Sequence, residues 1–250
     1  MSDFDRNSAA RWGQSVDRAG SAAIDQGLRT YMIGVYNYMT LGLGVTGLAA
    51  LAVNQMAFAN GALTPFGQML YLSPLKWVVM LAPLAFILLF SFNAHRMSAS
   101  AARTAFLVFS AVMGVSLSSI LVVFTGASVV RAFFITAAAF AGLSLYGYTT
   151  KRDLSPMASF LIMGVIGIII ASLVNVFLLH SSGMQFALSI LTVLVFSGLT
   201  AWDTQAIKEM YFEGDGYEVA TKKSVNGALM LYLDFINIFQ SILSLSGDRN

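Results

Sequence analysis

Two carboxylates occupy the places in this chain where a charge costs most. Asp203 lies near the end of FALSILTVLVFSGLTAWDT (186–204), which holds no other charge, and Asp234 interrupts LYLDFINIF (231–239). The other ten of the twelve acids fall in polar tails or loops. An ionised carboxylate within an apolar span costs upward of about 2.5 kcal/mol, so an acid kept there marks a functional site. The bland alternative is an interfacial Asp203 that reaches water, with an Asp234 that is simply protonated or hydrogen-bonded inside a helical bundle.

Depth favours a meeting of the two acids. At 1.5 Å per residue, Asp203 lies about 7 Å inward from Lys208 and Asp234 about 12 Å inward from Asn226, and consecutive antiparallel helices are usually neighbours. Two close carboxylates in a low dielectric do not both ionise cheaply; they share one proton, and the pair becomes a proton-operated switch. Doubly ionised, it would recruit an arginine or a metal ion. Calcium suits oxygen ligands but takes roughly six to eight of them, so two carboxylates with Asn237 and water predict only a weak, passing site. Gly227, Asp234, Asn237 and Ser241 share one helix face by three-and-four spacing, which predicts a pore-facing or supporting stripe. Polar glue between helices is the alternative, and it explains Asn237 and Ser241 better than it explains the aspartate. Arg96, in FSFNAHRMSAS (90–100), is the arginine at a depth to reach Asp203; it also suits an ordinary anchor whose head stays in water.

These residues must be positioned by membrane helices. With 57% hydrophobic and 10% charged residues, the chain is far more apolar than a soluble protein. A bilayer core needs about 20 apolar residues per helix, and seven runs approach that: 31–53, 76–92, 104–124, 128–148, 157–179, 185–207 and 226–245. The second and seventh are the shortest fits. The composition therefore predicts an all-α polytopic membrane protein of seven transmembrane helices over 31–250, preceded by a polar, loosely ordered cytoplasmic tail over 1–30 with no signal-peptide core.

With a cytoplasmic amino terminus, eleven of the fourteen lysines and arginines fall on the inner side, leaving Lys76, Arg131 and Arg249 outside. That asymmetry predicts this orientation, with the carboxyl terminus on the periplasmic side. The last span has no lysine for a retinal Schiff base, and a cytoplasmic amino terminus opposes the usual receptor orientation. His95 and His180 fall at opposite ends of the membrane and cannot share a metal. Gly42, Gly44, Gly47, Ser110, Gly114, Ser118, Gly164 and Gly167 are small residues at helix-packing intervals. There is no cysteine, no HExxH, GxSxG or P-loop, and the basic balance asks for no nucleic acid. The expectation is a non-enzyme without a resident cofactor, whose partners are the bilayer and calcium ions.

Four segments carry a family likeness: SLYGYTTKRDLS (144–155), IGIIIASLVN (166–175), VFSGLTAWDTQAIKEM (195–210) and GALMLYLDFINIF (227–239). Together they resemble the Bax inhibitor-1 family, also called the transmembrane Bax inhibitor motif family, and its proteobacterial branch in particular. The resemblance implies a seven-helix bundle with a central seventh helix in the bacterial inner membrane, and a pH-sensitive calcium leak. It implies that Asp203 and Asp234 are the pH sensor and that Arg96 latches Asp203. Two features depart from the family pattern: WVVMLAPLAFILLF (77–90) lacks the acid some bacterial relatives carry there, and Trp202 stands where a tyrosine commonly precedes the acid. Two other functions fit such a chain: a non-conducting regulator that binds another membrane protein, such as a protease or stress component, or a proton-coupled cation exchanger.

Overall fold

The computed structural model describes residues 3–59, 62–93 and 96–250, with side chains at 26–59, 62–90, 92 and 96–250. Helix α1 (Asp3–Ala57) leads through a short hairpin, β1 (Phe58–Ala59) and β2 (Ala62–Leu63), into α2 (Pro65–Tyr71) and α3 (Leu75–Asn93). Then follow α4 (Ala99–Leu117), the one-turn α5 (Ile120–Val123), α6 (Gly126–Thr149) and α7 (Ser155–Val174), whose last turn widens into a π-helix (Asn175–Leu179). Helices α8 (Ser182–Glu209) and α9 (Tyr217–Ser246) complete the fold. The protein is all-α but for the hairpin. Among the described residues six helices are long and apolar enough to cross a bilayer, and a seventh span results if α2 and α3 count as one.

That pair is bent by 62°. Thr64 caps α2 by accepting the Gly67 N–H, with Pro65 in the first turn. Pro74 then disfavours helix at Ser73, so the chain breaks before Leu75 and the second expected span is the irregular one. Among the described residues the polar segment is helical: α1 runs unbroken from Asp3 through the first span. Its alanines favour helix, and Asp3 with Arg6 and Asp25 with Arg29 stand at the spacings where opposite charges support one. The last helix likewise starts at Tyr217, well before the apolar run at 226.

Helix α9 is the centre, packed against α1, α4, α6 and α8. The apolar window of its span is 61% buried, whereas no other span exceeds 39%. At 11%, α7 is the most peripheral, and Phe160, Met163 and Ile170 on it face outward. A helix apolar on every side is what lipid contact requires.

Close helix approaches rest on small residues. A Cβ on Gly114 of α4 would lie 2.4 Å from the Thr46 carbonyl oxygen, and one on Gly147 of α6 would lie 2.1 Å from that of Ala201 on α8. Gly42 and Gly164 also meet neighbours. Gly44, Gly47 and Gly167, expected at packing contacts, face open space instead. Spacing finds a helix face, but only the assembled bundle decides which turns of that face are covered.

At the far end from the α8–α9 loop, the chain beyond α9 returns to α6. The Thr125 N–H donates to the Asp248 carbonyl at 3.0 Å, and the Asp248 N–H donates to Ser128 Oγ at 2.9 Å. The Asp248 carboxylate accepts from Ser128 Oγ and pairs with Arg131 at 3.8 Å.

Candidate functional site

The site begins with the way α9 is held. On the side of α1 and α4, the fully buried Tyr232 hydroxyl meets Thr46 Oγ1 at 2.7 Å, and Thr46 lies within bonding distance of the Ser110 and Gly42 carbonyls, 2.9 Å from each. The rings of Phe106 and Phe109 pack edge-on against Tyr232. On the α6 side, Phe235 packs edge-on against Phe133 and Phe140. With those two faces fixed, the third faces α8. There Gly227 fits against Ile207, whose Cγ2 would lie 2.9 Å from an added Cβ.

One turn before Ile207 on α8 stands Asp203, and two turns after Gly227 on α9 stands Asp234. Their carboxyl groups lie in hydrogen-bonding contact with each other. Both are buried, at 6% and 3% exposure. As pure acceptors they are badly served, since Asp203 Oδ1 and Asp234 Oδ2 have no partner. A hydrogen bond between two carboxyls requires that one of them carry a proton as donor.

Among the described residues no cation pairs with either acid. The ion pairs among the described residues are Arg131 with Asp248 and Lys223 with Asp215, neither at this site. Arg96 is exposed and makes no ion pair, so the contact expected with Asp203 is absent from this structure. The physical reason is placement: Arg96 is exposed and follows α3, which packs on α2 and α4.

The remaining expected site residues divide. Ser241 is buried, while the half-buried Asn237 donates its amide to the Leu233 carbonyl of its own helix at 2.8 Å. Gly227 packs closely against Ile207 of α8. No cluster of three or more His, Cys, Asp or Glu that could hold a metal occurs among the described residues. His95 lies outside the described residues. His180 is exposed, in a left-handed conformation at φ 48° that ends the π turn, and the Asn175 side chain bridges that turn to Ser181.

Neighbours of Asp203 that sequence reasoning passed over fix α8 in place. Thr204 Oγ1 lies 3.0 Å from Ser144 Oγ, and Ser144 Oγ lies 2.6 Å from the Tyr36 hydroxyl, giving a polar chain across α8, α6 and α1. Gln205 accepts the Leu154 N–H and donates to the Arg152 carbonyl, both at 2.8 Å, and so ties the α6–α7 loop to α8. Their signal was available: a Thr-Gln pair directly after the acid, still within helix, must bond to something.

The fold and site define a polytopic α-helical membrane protein built around a central helix that carries half of a buried acid pair. The profile of the family described as "Inhibitor of apoptosis-promoting Bax1" matches residues 28–250, and the chain belongs to this Bax inhibitor-1 family. It is 42% identical over 231 residues to the inner membrane protein YbhL of Escherichia coli (strain K12), covering 89% of this chain and 93% of the relative. It is 44% identical to an uncharacterized protein of Rickettsia prowazekii, covering 90% and 92%. An uncharacterized protein of Caulobacter vibrioides is 43% identical, covering 99% and 98%.

Proposed function

We propose that this protein is a cation leak of the bacterial inner membrane, calcium-permeable, whose conduction is set by the protons on Asp203 and Asp234. The observation that carries this reading is the buried contact of two carboxyls with no cation beside them among the described residues, one of them on the central helix. While the pair holds its proton, α8 and α9 are joined at that point. Loss of the proton leaves two like charges in a dry site, and the strain is relieved only by separation, water or a cation. Separation of α8 from α9 would open a path along the centre of the fold, with the carboxylates as its transient calcium ligands. Arg96 enters as a latch on the ionised Asp203, which requires the α3 end to swing inward from its present exposed position. The asymmetry of lysines and arginines supports a cytoplasmic amino terminus and a periplasmic carboxyl terminus.

Calcium entry into protein-loaded liposomes, measured between about pH 6 and 8, tests the proposal. Wild type is expected to conduct more as pH rises, and Asp234→Asn to lose that dependence while keeping its fold. An unchanged pH profile in Asp234→Asn would end the gating reading. Absence of flux from well-folded protein would instead favour a non-conducting regulator of another membrane protein.

A further inference from the structure

A second polar site lies away from the acid pair, at the end of the bundle that holds the α8–α9 loop. A cavity of about 660 Å³ opens there between α1, α4 and the first turns of α9, with Thr30, Tyr31, Tyr38, Arg103, Tyr211 and Tyr217 in its wall. Arg103 is the one charged side chain among the described residues that line it. Its Nη2 donates to the Tyr217 hydroxyl at 2.8 Å and to Thr221 Oγ1 at 3.2 Å. The guanidinium lies 5.6 Å from the ring centres of both Tyr38 and Tyr217.

All of these partners are neutral. Arg103 forms no ion pair among the described residues. Its Nε–H is buried without an acceptor, and the Tyr31 hydroxyl in the same wall is buried without a partner as well. Tyr31 is not free to turn elsewhere, because its ring packs on Tyr211 with centres 5.7 Å apart. The acid that acts on Tyr31 is Asp215, and Lys223 already neutralises it. Among the described residues that line it, the cavity therefore presents unspent donors and one positive charge.

Buried donors without acceptors are costly and uncommon. The guanidinium has a planar fork suited to oxyanions, while the hydroxyl reaches from another helix. A tetrahedral oxyanion accepts from several directions at once, which a single planar carboxylate does less well. Arg103 is one turn into α4 and Tyr217 opens α9, so the cavity lies at the depth of lipid headgroups yet within reach of solutes.

We infer that this cavity binds a phosphate-bearing anion, either a lipid headgroup or a soluble phosphate, with Arg103 and Tyr31 as its donors. Bound there, the anion joins α1, α4 and the start of the central helix.

The full chain in a maltoside detergent, which carries no phosphate, provides the test. Its thermal unfolding is followed with inorganic phosphate, against chloride at equal ionic strength, and in parallel with a short-chain phosphatidylglycerol. At least one probe should raise the unfolding temperature saturably, and which one does so identifies the source. Arg103→Gln should weaken that probe's half-effect concentration by about tenfold or more, and Tyr31→Phe by about fivefold. Tyr31→Phe removes a hydroxyl that holds no bond in the structure, so it decides the matter should Arg103→Gln fail to fold. If neither probe stabilises beyond chloride, or if the folded variants respond as wild type does, the cavity holds water only and the inference is overturned.

Discussion

Tyr232 and Asp234 are two residues apart on α9, both buried and both polar, yet they turn to different neighbours and end in opposite states. The Tyr232 hydroxyl reaches Thr46, which itself lies at bonding distance from two carbonyls, inside a cage of aromatic rings. Asp234 reaches another acid and is left with an oxygen that has no partner. A fully bonded buried group fixes geometry, whereas an incompletely bonded one gains from a proton, a cation or movement. One helix therefore carries an anchored face toward α1 and α4 and a face toward α8 whose buried acid is incompletely bonded. The contrast also locates motion: separation is expected between α8 and α9, with α1, α4 and α9 moving together.

The largest effect should come from disturbing how α8 is seated. Gly147→Ala puts a Cβ against the Ala201 carbonyl, a backbone atom two residues before Asp203 that cannot rotate aside. A loss of about 3 kcal/mol is expected, read as a lower unfolding temperature in detergent. Wild-type stability would mean that α6 does not hold α8.

Next come the acids themselves. Asp203→Asn and Asp234→Asn should each erase the pH response of calcium flux, about tenfold across two pH units for a one-proton gate. The double variant should resemble either single one, because the proton belongs to the pair. Additive effects would mean that the two groups act separately.

On the anchored face, Tyr232→Phe removes one hydrogen bond and keeps the ring packing. It should cost about 1 to 1.5 kcal/mol in thermal unfolding and leave the pH response intact. A lost pH response would show that the two faces of α9 are coupled.

The smallest effect is expected at the opposite end, where Asp248→Ala removes an exposed pair with Arg131 and an acceptor for Ser128. The loss should stay below about 1 kcal/mol and shrink further in salt. A larger loss would make this clasp a structural anchor of α9 comparable with Tyr232.

Much of this was legible in the chain itself. Composition dictated a membrane bundle because the bilayer selects helices of a set apolar length. The acid pair stood out because charge is so rare in these runs, and counting residues from the helix ends was enough to predict that Asp203 and Asp234 meet. Other features left weaker traces. Thr46 lies in LGLGVTG among glycines that suggested packing, and its bond to Tyr232 spans 186 residues. Arg103 read as one more basic residue, since nothing local shows that four tyrosines from three parts of the chain converge around it.

The order of residues by itself settled that this is a helical membrane protein and which side chains are too costly in its apolar runs to be incidental, because both follow from the transfer energy of each group. Only the tertiary structure decided which helix is central, that no cation among the described residues pairs with Asp203 and Asp234 while Arg96 is exposed, and that Arg103 has a donor left over. Those outcomes depend on which faces meet across α1, α4, α8 and α9. Helical periodicity names a face without naming its neighbour.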